Sequence, residues 1–198
     1  MNGVERLGWR DHLAGLAIAA VYVGVLLWTS TDLAMSRDES FYVVAAERYG
    51  GWLEQLWDDP GAATEQSAVD RAWSYNSEHP SLMKTAFALS WLAHDAWDVF
   101  PVDSMAFRFP GMLTAGLLLW LVYVFGARVF GRGAGLFAAA AMALVPRFYY
   151  HAHLDCFDVP IALMTTLVTY CYWRSLTRPW WAVWTGFAFG LALATKHN

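Results

Sequence analysis

Long apolar runs separated by short polar breaks dominate the chain, and they recur at a length that suits a lipid bilayer. Five stand out: Leu13–Leu33, Phe109–Phe130, Gly133–Tyr150, Val159–Trp173 and Trp180–Ala194. A helix needs about 20 apolar residues to cross the hydrocarbon layer, so the last two reach it only with their flanks. Lipid offers backbone groups no partner, which makes every crossing segment helical. A sixth run, Leu82–Phe100, carries His94, Asp95 and Asp98. Each charge near the bilayer centre costs about 2.5 kcal/mol or more. Arg6 with Arg10, Arg128 with Arg132, and Arg174 with Arg178 flank the runs, and basic flanks favour the cytoplasm. Five crossings put all three pairs on that side, whereas crossing at Leu82–Phe100 would turn two pairs outward. That segment is therefore expected as an interfacial or re-entrant helix on the outer face. The pattern predicts an all-α, polytopic membrane protein of about five spans. Residues 34–108 form an extracytoplasmic segment between the first span (13–33) and the four later ones (109–198), and Trp180, Trp181 and Trp184 form an inner aromatic belt.

Composition agrees with this layout. The 198 residues are 58% hydrophobic and only 15% charged, against about 25% charged in a soluble domain. The charges crowd between Arg37 and Lys84. Basic residues are too few and scattered for a nucleic-acid surface. Cys156 and Cys171 make neither a disulfide framework nor a metal-ligand pattern. The first run continues past signal-peptide length without a small-residue cleavage site, so it is expected to stay as a span.

Candidate chemistry gathers where this topology puts the outer face. In "SRDESFYVVAAERY" (residues 36–49), Ser36 and Glu39 have the spacing of a capping box, with Phe41, Val44, Ala45 and Arg48 at helical spacing behind. Asp38 lies inside that first turn. His79-Pro80 is expected to start a second helix, with Lys84 about a turn inside. Arg108 stands at the outer mouth of the second span, where it either snorkels to headgroups or joins Lys84, His79 and Arg147 around one anion. His151, His153, Asp155 and Asp158 crowd the next outer loop, where they suit a divalent cation or proton transfer as well as plain solvation. "GRGAG" (131–135) lacks the strand and the Lys-Ser/Thr ending of a phosphate loop and reads as a tight turn.

An acidic pair after the first span (Asp38-Glu39), then His79-Pro80-Ser81-Leu82-Met83-Lys84, then Arg108-Phe109-Pro110, resembles the GT-C membrane glycosyltransferases. The nearest likeness is to the protein O-mannosyltransferase and aminoarabinose transferase group. Residues 128–158 resemble that family's third-span region with its closing acidic loop, and the likeness runs from Met35 onward. Ser81 stands where the family carries a second proline. Family members also have more spans and a second large outer loop, so a chain closing on "ATKHN" reads as an N-terminal part of that architecture, with activity of this part alone in doubt. The resemblance implies sugar transfer from a polyprenyl-phosphate donor to a hydroxyl of a protein or glycolipid at the extracytoplasmic face of the plasma membrane, with inversion. It implies Asp38 and Glu39 as catalytic. His79, Lys84 and Arg108 would hold the donor phosphate. Asp158 with its loop neighbours would orient the acceptor or bind a metal.

Two other readings compete. A transporter or channel fragment would relay ions through Asp38, His151, His153, Asp155 and Asp158, yet the span centres are nearly charge-free. A non-catalytic subunit would use Trp52, Trp57 and Trp73 for partner binding.

Overall fold

A computed structural model describes residues 7–197; Arg6 and Asn198 lie outside the described residues. Among these residues the chain is helical throughout, with no strand. The elements are α1 (Trp9–Thr29), a 3-10 turn (Ser30–Asp32), α2 (Arg37–Asp58), α3 (Pro60–Ala63), α4 (Gln66–Trp73) and α5 (Ser81–Trp97). They continue with α6 (Asp103–Phe130), α7 (Arg132–Ala143), α8 (Pro146–Ala152), α9 (Asp158–Ser175) and α10 (Trp181–Thr195).

Two helices are long and apolar enough to cross a bilayer, Trp9–Asp32 and Asp103–Phe130, and α10 is a shorter apolar helix. Their outward faces stay greasy. On α1, Trp28 is 83% and Val21 69% exposed, a pattern that water would penalise and lipid accepts. The third expected run is not one helix. Residue 145 precedes Pro146, whose ring disfavours helical geometry before it, so α7 stops and α8 restarts at the proline. The second run begins earlier than expected: α6 starts at Asp103, and Arg108 and Pro110 lie inside it. Pro80 caps α5 rather than opening it, and α5 ends with Asp98 in the left-handed region (φ 49°).

α6 forms the axis. α1 and α7 pack along it, and the α9–α10 hairpin closes against it. Cys171, Tyr170, Val124 and Ala127 form the core at one end, with Leu7 and Trp181 beside them. Arg132 reaches Asp11 there, 2.6 Å from Nε to Oδ1, and Arg174 stacks over Trp181 at 4.7 Å. Arg10, Arg132 and Arg174 thus share one end of the bundle. At the other end α2 and α5 pack against each other, and α5 meets the start of α6 through stacked Trp91 and Phe107.

The α6–α7 turn explains "GRGAG". Gly131 takes φ 96°, which a side chain resists. Gly135 lets the two backbones touch: a Cβ there would sit 2.5 Å from the Ala127 nitrogen and the Tyr123 oxygen. Gly135→Ala is expected to destabilise the protein by about 1–3 kcal/mol through forced separation of the helices. Thermal unfolding in detergent reads this, and an unchanged melt would refute the close packing.

Candidate active site

The first turn of α2 is built as its sequence pattern demands. The Ser36 N–H donates to Glu39 Oε2 at 2.6 Å, and the Glu39 N–H reaches Ser36 Oγ at 3.4 Å. Glu39 is wholly buried, while Asp38 beside it points outward and is exposed. One residue of offset thus separates an interior carboxylate from a free one.

Glu39 is the hub of an interior ionic cluster. Arg108 donates to it twice, Nε to Oε1 at 2.7 Å and Nη2 to Oε2 at 3.1 Å. Its remaining N–H groups go to the carbonyls of Ser30, Leu33 and Ala34, each at 3.1 Å. All five guanidinium donors are therefore spent on the protein itself. Lys84 is also buried, and its Nζ donates to the carbonyls of Asn76 (2.7 Å) and His79 (2.8 Å). Burial lowers its pKa, opposed by Glu78. In this arrangement Arg108 and Lys84 do not face a donor phosphate. The first ties α6 to the end of α1, and the second staples the loop that carries His79.

Asp155 joins the interior cluster. Its backbone N–H donates to Glu39 Oε1 at 3.0 Å, and both carboxyl oxygens are buried without a partner. Burial, reinforced by Glu39 and opposed by Arg108, pushes its pKa well above the carboxylate range. The Glu39–Arg108 ion pair thus lies beside a carboxyl whose burial disfavours ionisation. An unfolded Asp ionises near pH 3.9, so above that pH only the unfolded chain releases the proton. Native stability accordingly falls as pH rises, by up to about 1.4 kcal/mol per pH unit until the folded group ionises. Asp155→Asn lacks this loss. Its melting advantage over the native chain is expected to widen from pH 4 to pH 7; a constant gap would show an ionised Asp155.

His153 also turns inward. Its Nδ1 lies 2.8 Å from the Tyr149 carbonyl, and Nε2 lies 2.8 Å from Thr29 Oγ1. A carbonyl only accepts, so Nδ1 carries the proton. Burial lowers the ring's pKa, against its bond to Tyr149. This histidine joins α8 to α1 and offers no free nitrogen to a metal or proton relay.

A second set faces outward. Arg147, Phe148, His151, Asp158, Val159 and Ala162 line a cleft of about 380 Å³. Lys196 at the end of α10 reaches Asp158 Oδ1 at 3.0 Å, and His151 Nδ1 lies 3.3 Å from Oδ2. The His79 ring packs against Phe157 (5.1 Å) and Tyr42 (5.8 Å). Burial lowers the His79 pKa, and Lys196 and Asp158 act on it with opposite signs, as neighbours would. Burial, then Asp38, then the Cys156–Asp158 loop raise the Tyr42 hydroxyl to about 12. Tyr42, His79 and Phe157 form one ring cluster; Asp38 lies one turn before Tyr42 on α2, and Asp158 follows Phe157 in the chain.

His151, Cys156 and Asp158 bring ligand atoms within 4.8 Å of one another. Burial pushes the Cys156 thiol to about 12, and an ammonium already sits on Asp158. A protonated thiol, one bridged carboxylate and one imidazole do not suit a hard divalent cation, which takes an oxygen-rich shell. Lys196 was invisible to sequence reasoning, although the α9–α10 hairpin itself brings residue 196 back beside residue 158.

A helical bundle with apolar outward faces describes a membrane-integral protein. The chain belongs to the dolichyl-phosphate-mannose-protein mannosyltransferase family, whose model matches residues 79–198, and it is thus a glycosyltransferase of GT-C type. No curated protein and no solved structure matches it. The matched region holds His79, Arg108, Asp158 and Lys196 and begins after Asp38, which the Glu39–Arg108 pair ties to it.

Proposed function

We propose that this chain moves a sugar from a polyprenyl-phosphate donor to an acceptor hydroxyl at the extracytoplasmic surface, within an arrangement of about five spans. What supports this is an exposed carboxylate, Asp38, unpartnered among the described residues, one turn before Tyr42, whose ring packs on His79 and Phe157. Phe157 is next in the chain to Asp158, which lines a cleft with Arg147 and His151 and holds Lys196. Asp38 takes the proton of the attacking alcohol. Its place in the first turn of α2 sets it at the positive end of that helix. Attack from the face opposite the departing phosphate inverts the anomeric carbon.

Negative charge grows on that phosphate as the sugar leaves, so cations placed there stabilise the transition state. Arg147 has no carboxylate partner among the described residues, and Lys196 sits on Asp158. In this reading Arg147 and Lys196 replace Arg108 and Lys84 as phosphate ligands, with His79 beside them. Asp158 holds Lys196 in place and orients the acceptor. Glu39, Arg108 and Asp155 act as positioning residues that fix the first turn of α2. The acceptor is a protein or glycolipid hydroxyl, and the lipid tail runs along the apolar helix flanks.

Membranes carrying the protein are expected to consume radiolabelled polyprenyl-phosphate sugar. Lys196→Gln should raise the KM for the lipid donor about tenfold and leave that of the acceptor unchanged. Equal changes in both would remove the phosphate role from Lys196.

A further inference from the structure

α2 carries a second stripe, on a face that the proposed reaction does not use. Arg48, Gly51, Trp52 and Gln55 follow the i, i+3, i+4, i+7 spacing that lines up one side of a helix. Opposite them α4 presents Ala68, Ala72 and Arg71. Two helices usually close such a face with large apolar side chains. Here the facing positions are small, and a cleft of about 600 Å³ is left between the helices. That size falls within the range of small-ligand sites.

The cleft is cationic inside an acidic segment. Acids outnumber bases between Arg37 and Lys84, yet neither Arg48 nor Arg71 has an ion-pair partner among the described residues. Asp70, next to Arg71, is bonded instead to Gln66 at 2.7 Å. The Arg48 guanidinium lies over the Tyr75 ring, 4.4 Å from its centroid, which positions it while leaving its N–H groups without an ion-pair partner among the described residues. Trp52 is fixed as well, since its Nε1 donates to the Ala63 carbonyl at 3.0 Å and leaves the indole as a rigid wall. Gln55 and Ser74 add an amide and a hydroxyl to the lining.

Two guanidiniums sharing one cleft repel each other, and an anion between them relieves that repulsion. Their planar forks match tetrahedral phosphate or planar carboxylate oxygens in a bidentate way. We infer that the α2–α4 cleft binds a phosphate ester, gripped by Arg48 and Arg71 and laid against Trp52. The phosphate belongs either to an anionic lipid headgroup or to a soluble phosphorylated compound. The site lies apart from the Asp38–Asp158 cleft and does not depend on the proposed transfer reaction.

The test uses the full chain in nanodiscs of phosphatidylcholine, titrated calorimetrically with glycerol 1-phosphate. Saturable binding is expected, weakened at least tenfold by Arg48→Gln and by Arg71→Gln. Arg48→Lys, which keeps the charge and loses the fork, should weaken it as well. Both arginines are exposed, so unchanged melting temperatures will show that the variants are folded. Nanodiscs of phosphatidylglycerol separate the two sources. Loss of soluble binding there means that a headgroup fills the cleft, and retained binding means a soluble ester. Absence of saturable binding to the native chain, or equal binding by the native chain and both glutamine variants, would overturn the inference.

Discussion

Arg108→Met is expected to destabilise the protein by about 3–5 kcal/mol, enough to unfold the α2–α5 end of the bundle in detergent. The loss comes from the groups left behind. Glu39 would be left in the interior without its cation, and breaking one side of a buried pair costs that much. Three carbonyls, of Ser30, Leu33 and Ala34, would lose their donor as well. Adding Glu39→Leu should restore only part of the stability. That change removes the orphaned charge but strands the N–H groups of Ser36 and Asp155, at about 1–3 kcal/mol for each buried group left unpaired. Melting curves of the two variants decide this; a native-like melt for Arg108→Met would deny the hub.

Asp38→Asn is expected to act in the opposite way. Sugar transfer should fall about 100- to 10,000-fold, the usual worth of a general base, while abundance and melting stay near native. Asp38 is exposed, with no hydrogen-bond or ion-pair partner among the described residues, so its removal costs the fold little beyond a helix-end charge worth about 0.3–1 kcal/mol. Glu39→Gln, one residue away, should instead damage folding first. Comparing rate and melting temperature for these neighbours separates a catalytic carboxylate from a structural one. Near-native transfer by Asp38→Asn would remove the base.

Features set by near neighbours in the chain were legible in the sequence. The Ser36–Glu39 box spans three positions and forms as its spacing implies. Pairings across the chain were not legible. Arg108 and Glu39 are 69 positions apart, and nothing local distinguishes an arginine bound for the interior from one bound for a phosphate. The 151–158 loop has no periodicity to sort inward from outward side chains. Thus His153 and Asp155 were grouped with His151 and Asp158, from which packing separates them. The break at Pro146 did carry a signal, because a proline within an apolar run argues against one continuous helix. The ion relay also loses a part, since His153 has both ring nitrogens occupied.

The central claim is that Asp38 and Asp158 open onto one extracytoplasmic site. Asp38→Cys, Asp158→Cys and Arg178→Cys, each introduced singly with Cys156 and Cys171 replaced by alanine, can be treated in intact cells with a membrane-impermeant maleimide. Labelling at positions 38 and 158 together with protection at 178 is the predicted result. Labelling at 38 and 178 with protection at 158 would put the two acids on opposite sides of the membrane and contradict the shared site.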